Sequence, residues 1–128
     1  EFCHGYTYSG HPLAAAVGHV VLDIMESEGL FERVAALEPV LEDAAHSLAD
    51  VPQVADIRNI GLTAAIELKP AQEGVGVRGL AVFEEALKQG QLLRVTGDII
   101  SFGPPFIATE NELKNMMQTV RKVIEIVG

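Results

Sequence analysis

Apolar residues recur along this chain at two periods, and the change of period marks out its elements. Leu13, Val17, Val20, Val21, Ile24 and Met25 stand at near-helical spacing behind Pro12. A proline suits the first position of a helix, where its missing N–H costs nothing. Ala14, Ala15, Ala16 and Gly18 keep the opposite side small, and Gly29 supplies a stop. A second helix is predicted from Leu30 to Leu48, with Val34, Leu37, Leu41, Ala44, Ala45 and Leu48 as its inner stripe. Pro39 falls inside it and should kink or restart it.

From Val54 the pattern becomes that of strands. Val54–Arg58 and Thr63–Leu68 read as two strands joined at Asn59-Ile60-Gly61. Pro70–Gly76 reads as a loop and Val77–Lys88 as a third helix, stopped by Gly90. Leu92–Val95 and Ile99–Phe102 read as short strands around a Thr96-Gly97-Asp98 turn, with Pro104-Pro105 ending the second. Thr109 and Glu112 have capping-box spacing before a last helix, whose apolar face runs from Leu113 to Val127. The order of elements predicts an α+β fold, with a small sheet of short, mostly antiparallel strands packed against helices.

Composition narrows the function. At 128 residues, 48% of them apolar, the chain is long enough for a buried core. Its formal charge of −9 argues against nucleic acid and against an anionic membrane, since both call for a basic surface. No apolar run has the length of a membrane span. Cys3 is the only cysteine, so no internal disulfide forms within these residues, in keeping with a reducing, cytoplasmic setting. The first residues lack the features of a signal peptide. No initiator Met precedes Glu1, so a piece of something longer is expected.

Two stretches carry candidate chemistry. His4-Gly5-Tyr6-Thr7-Tyr8-Ser9-Gly10-His11-Pro12 puts four hydroxyls in a row before a proline-started helix. A helix start offers unpaired N–H groups and partial positive charge, and hydroxyls beside it add donors for an anion. On composition alone an ordinary N-cap accounts for the same residues. Arg94 lies between Leu92-Leu93 and Val95, on a strand expected to be half buried. Its planar fork suits a carboxylate held bidentately. An internal salt bridge, with Asp98 or another acid, is the structural alternative.

Other signals are set aside. Gly74-Val-Gly-Val-Arg-Gly79 fits G-x-G-x-x-G, with Asp98 at a tempting distance. No long parallel βαβ unit follows it, so a dinucleotide reading is rejected in favour of a loop. Arg58 is assigned to structural pairing. His4, His11, His19 and His46 lack metal-ligand spacing, and no metal site is expected. Cys3 has no recognisable base beside it.

The front run, together with Asp56-Ile57-Arg58-Asn59-Ile60-Gly61-Leu62, Ala65-Ile66-Glu67-Leu68 and Arg94-Val95-Thr96-Gly97-Asp98 through Ser101-Phe102-Gly103-Pro104-Pro105, resembles class III aminotransferases. These are pyridoxal-phosphate enzymes of fold type I. The segments occur in the family's order and span essentially the whole chain. The wording is most similar to ω-amino acid (β-alanine):pyruvate aminotransferases. The resemblance implies that residues 1–29 form a cofactor-phosphate loop and connecting helix, and residues 30–128 the C-terminal small domain. It implies that Thr7 reaches the cofactor phosphate of a neighbouring subunit, with Tyr6 adding a contact, and that Arg94 binds the substrate carboxylate. His11 is assigned a structural role.

The same resemblance implies a homodimer or tetramer, a preceding large domain, and small amino and keto acids as substrates. The lysine that forms a Schiff base with the cofactor is expected upstream. Lys69, Lys88, Lys114 and Lys122 are not replacements for it, so no catalytic residue is assigned here and these residues alone should be inactive. Two alternatives stand beside the ω-amino acid:pyruvate reading. One is a non-catalytic aminotransferase-like binding or assembly module. The other is another class III member, such as a γ-aminobutyrate aminotransferase or an aminomutase.

Overall fold

A computed structural model describes residues 5–128, so Cys3 and His4 lie outside the described residues. The chain divides into two compact units, Glu1–Glu32 and Arg33–Gly128. The first holds a turn and helix α1 (Pro12–Ser27). Pro12 opens the helix as expected, but the cap is His11, whose Nδ1 accepts from the Ala14 N–H at 3.4 Å. Gly29 adopts the left-handed conformation (φ 60°) that closes a helix. No residue of α1 is buried, so its apolar stripe, Leu13, Val17, Val20, Val21 and Ile24, is exposed.

Helix α2 (Leu30–His46) runs continuously through Pro39, against the expected kink. The carbonyl that Pro39 leaves without a donor is that of Ala35, and both residues face solvent, where water can serve it. Leu37, Leu41 and Ala45 turn inward, and a 3-10 turn over Ser47–Asp50 buries Leu48.

The rest of the second unit is a four-stranded antiparallel sheet with two further helices. Its strands are β1 (Val54–Ile60), β2 (Thr63–Leu68), β3 (Arg94–Thr96) and β4 (Ile99–Phe102), in the order β1-β2-β4-β3. The register sets Ile57 against Ile66, Ile66 against Ile100, and Arg94 against Ser101. Along β2 burial alternates: Ala64, Ile66 and Leu68 are buried, while Ala65 and Glu67 on the other face are only partly covered. That alternation is the mark of a sheet covered on one side.

Helices α3 (Val77–Lys88) and α4 (Glu110–Val127) share one core with α2 and the sheet. Val82 and Ala86 come from α3; Leu113, Met117, Val120, Val123 and Ile124 come from α4. Each large aliphatic side chain fully buried there contributes roughly 1.5–3 kcal/mol of transfer free energy. The capping box of α4 is present in both directions. The Glu112 N–H donates to Thr109 Oγ1 at 3.3 Å, and the Thr109 N–H donates to Glu112 Oε2 at 2.7 Å.

Candidate functional site

In the first unit, the turn before α1 closes through two local bonds. The Ser9 N–H donates to the Tyr6 carbonyl at 2.9 Å, and the Tyr6 N–H donates to Ser9 Oγ at 2.7 Å. Tyr8 takes a left-handed backbone (φ 69°), which tightens the bend. Ser9 is therefore committed to the turn. Thr7 is exposed at its tip and makes no hydrogen bond among the described residues. The hydroxyl remains available as a donor to an anion. Tyr6 and Tyr8 are also exposed.

In the second unit, Arg94 starts edge strand β3. It is exposed, not half buried as its apolar neighbours suggested. Leu93, just before it, is the residue that turns into the core, so Arg94 points the other way. The Arg94 guanidinium makes no ion pair or hydrogen bond among the described residues. Other arginines are occupied. Arg58 pairs with Asp56 and, at 2.9 Å, with Glu67. Their carboxylates, Glu67 first, raise its already high pKa. Arg121 binds Asp50 at 2.6 Å.

The expected alternative partner, Asp98, is engaged elsewhere. Its Oδ2 accepts from the Gly76 N–H at 2.7 Å and its Oδ1 from the Gly79 N–H at 2.9 Å. The glycine-rich segment Gly74–Gly79 thus does hold an anion at a helix start, and the anion is the chain's own carboxylate. Gly79 is required sterically. A Cβ there would stand 2.0 Å from the Gly97 carbonyl oxygen and 2.9 Å from Val95 Cγ1.

Arg94 lines an open cavity of about 1340 Å³ in the second unit. Leu92, Phe102, Pro104, Ile107 and Met116 give its wall an apolar character. Arg94 and Glu112 are the charged side chains on that wall, and Glu112 is committed to the Thr109 cap. Hydrogen bonds from Thr109, backbone N–H first, together with the nearby Arg33 charge, hold the Glu112 carboxyl below its ordinary pKa of 4.5. Gln91 also lines the cavity, and its buried Nε2 has no partner among the described residues.

Sequence reasoning missed Arg33. Its Nε donates to the Phe106 carbonyl at 2.9 Å, and its Nη2 donates to the carbonyls of Ala108 at 2.6 Å and Ile107 at 3.2 Å. These bonds fix the loop between β4 and α4, part of the cavity rim. Nothing local in the sequence links residue 33 to that loop. Among the described residues, no group of three or more His, Cys, Asp or Glu side chains could hold a metal ion. No helix among them is long and apolar enough to cross a membrane.

The chain belongs to the family described as Aminotransferase class-III, which it matches over residues 1–124. It is 47% identical, over 97% of its length, to an omega-aminotransferase of Caulobacter vibrioides. It is 39% identical, again over 97% of its length, to a beta-alanine–pyruvate aminotransferase of Pseudomonas aeruginosa. In each case it spans 28% of the relative's own length. Among solved structures, a thermostable omega transaminase variant from Pseudomonas jessenii superposes with a TM-score of 0.89 at 32% identity. That match covers 98% of this chain and 29% of the transaminase. The α+β fold is therefore that of a segment of pyridoxal-phosphate-dependent transaminases.

Proposed function

We propose that the intact protein is an aminotransferase that moves an amino group from an ω-amino acid or amine to pyruvate. The observation that carries this reading is Arg94: an unpaired guanidinium on the wall of an apolar cavity. An apolar wall with one free cation suits a small organic acid, because the cation takes the carboxylate and the wall takes the carbon skeleton. The identity of 47% to a protein named omega-aminotransferase and of 39% to one named beta-alanine–pyruvate aminotransferase supports this substrate class.

The residues present fit the cofactor that the family uses. Thr7 offers a free hydroxyl on a tight, exposed turn, the donor chemistry that a phosphate takes, and Tyr6 stands beside it. Thr7 and Tyr6 would hold the phosphate of pyridoxal phosphate in a neighbouring subunit, so the working unit is at least a dimer. Bound pyridoxal phosphate supplies the electron sink for moving the amino group. Arg94 orients the acid by its carboxylate, which fixes the reacting carbon relative to that group. The lysine that anchors the cofactor belongs to a large domain outside these residues. A sequence with one cysteine supports a reducing, cytoplasmic location.

Arg94→Ala in the intact protein tests the reading. Loss of a charge-assisted pair should raise KM for pyruvate by about 10- to 100-fold. An unchanged KM for pyruvate overturns the assignment of Arg94.

A further inference from the structure

Asp98 is the only buried polar or charged residue among the described residues. A buried carboxylate is costly unless hydrogen-bonded, and a helix start has N–H groups with no partner. Each need meets the other here. The arrangement joins two elements distant in sequence, the β3–β4 turn and the first turn of α3.

The hairpin needs such a tie. β3 has three residues, lies at the sheet edge and pairs only with β4. A short two-stranded hairpin is marginal on its own. Three further contacts hold it. The Leu68 N–H of β2 donates to the Asp98 carbonyl at 2.9 Å. Gly79 lets the backbone of Gly97 approach α3. Val95, next to Arg94, packs at the same place.

We propose that Asp98 is a positioning residue for Arg94: its carboxylate locks the β3–β4 turn to the start of α3 and so fixes the strand that presents the guanidinium. This rests on the reading of Arg94 as the carboxylate anchor. A guanidinium on a loosened strand still carries its charge, but it no longer meets a bound acid in one geometry. Small misplacements of that kind cost binding and rate steeply. Asn at this position keeps the shape of Asp98. Its amide can accept from one of the two N–H groups, and its own NH₂ then faces the other.

The test compares Asp98→Asn and Arg94→Ala in the intact holoenzyme, with pyruvate and with butanal, an acceptor that has no carboxylate. Asp98→Asn should raise KM for pyruvate about tenfold and leave KM for butanal within about twofold. A second readout needs no turnover. Binding of propionate, followed by calorimetry, should weaken by a similar factor in Asp98→Asn, while amide exchange at Gly76, Gly79 and Arg94–Ile99 speeds up. Asp98→Ser, which keeps one oxygen acceptor, takes the place of Asp98→Asn if that variant fails to fold.

Each result decides something. If Arg94→Ala raises KM for pyruvate and Asp98→Asn does not, the positioning role is overturned and the reading of Arg94 stands. If Asp98→Asn impairs pyruvate and butanal equally, Asp98 is a general structural residue and the proposal fails. If Arg94→Ala changes neither pyruvate kinetics nor propionate binding, the anchor itself is wrong, and the role of Asp98 falls with it.

Discussion

Gly79 and Asp98 decide the local geometry by opposite means, one by having no side chain and the other by having a short charged one. Adding a methyl at Gly79 places a carbon 2.0 Å from a backbone oxygen, a contact that no rotamer change relieves. Helix α3 and the hairpin must then separate. Gly79→Ala should cost about 1–3 kcal/mol, the range for forced overpacking, although alanine is the better helix former. Thermal unfolding of the protein measures it, and a variant as stable as the parent would show that the approach is not needed. At this scale the sequence was partly legible. The roles expected of Arg94 and Thr7 came from the family resemblance, since their own settings left an internal salt bridge and an ordinary N-cap as alternatives. The exposure of Arg94 was not legible, because Leu92, Leu93 and Val95 around it suggested a buried strand, whereas Leu92 is itself 78% exposed. The partner of Asp98 was also hidden. Its 19-residue separation from Gly79 is bridged only once the sheet has formed.

Elements were read with more success, since periodicity and caps are local. Helix α3 was expected over Val77–Lys88 and lies there. Strand β2 likewise matches Thr63–Leu68. The strand carrying Arg94 begins two residues later than expected, at Arg94 itself, because pairing with β4 sets its extent and propensity does not. The start of α4 was written in Thr109 and Glu112, and both bonds of the box form. Thr109→Ala removes the acceptor for the Glu112 N–H and should cost about 1 kcal/mol, as N-cap losses commonly do. Urea unfolding reads this directly, and a midpoint equal to the parent's would mean that the box contributes nothing. Arg33 escaped detection because its partners are carbonyls more than 70 residues away, and backbone carbonyls carry no sequence signature.

For the molecule as a whole, acidic groups set the response to pH. Asp50 is held below its ordinary value of 3.8, chiefly by its hydrogen bond from Arg121. Glu112 lies below 4.5 through Thr109, and Glu85 lies below 4.5 through Lys88 and Gln89. A carboxyl whose folded pKa is depressed stabilises fully above its unfolded value, and that contribution disappears as pH falls through the folded one. The melting temperature should therefore hold steady above 4.5 and decline as the solution is acidified below it. Asp50 and Glu112 are solvent-exposed and Glu85 is partly so, so the decline should be modest and should shrink in high salt. A melting temperature that rises on acidification would contradict the assignment. The cavity beside Arg94 was the least legible feature, because its wall draws on α3, β3, β4 and α4 together.

The plug in the glycine-rich turn comes from the same polypeptide, and this has a practical meaning. A tethered carboxylate cannot be diluted away, competed off by buffer phosphate or lost during purification. The support beneath the β3–β4 hairpin is thus built into the chain that it holds.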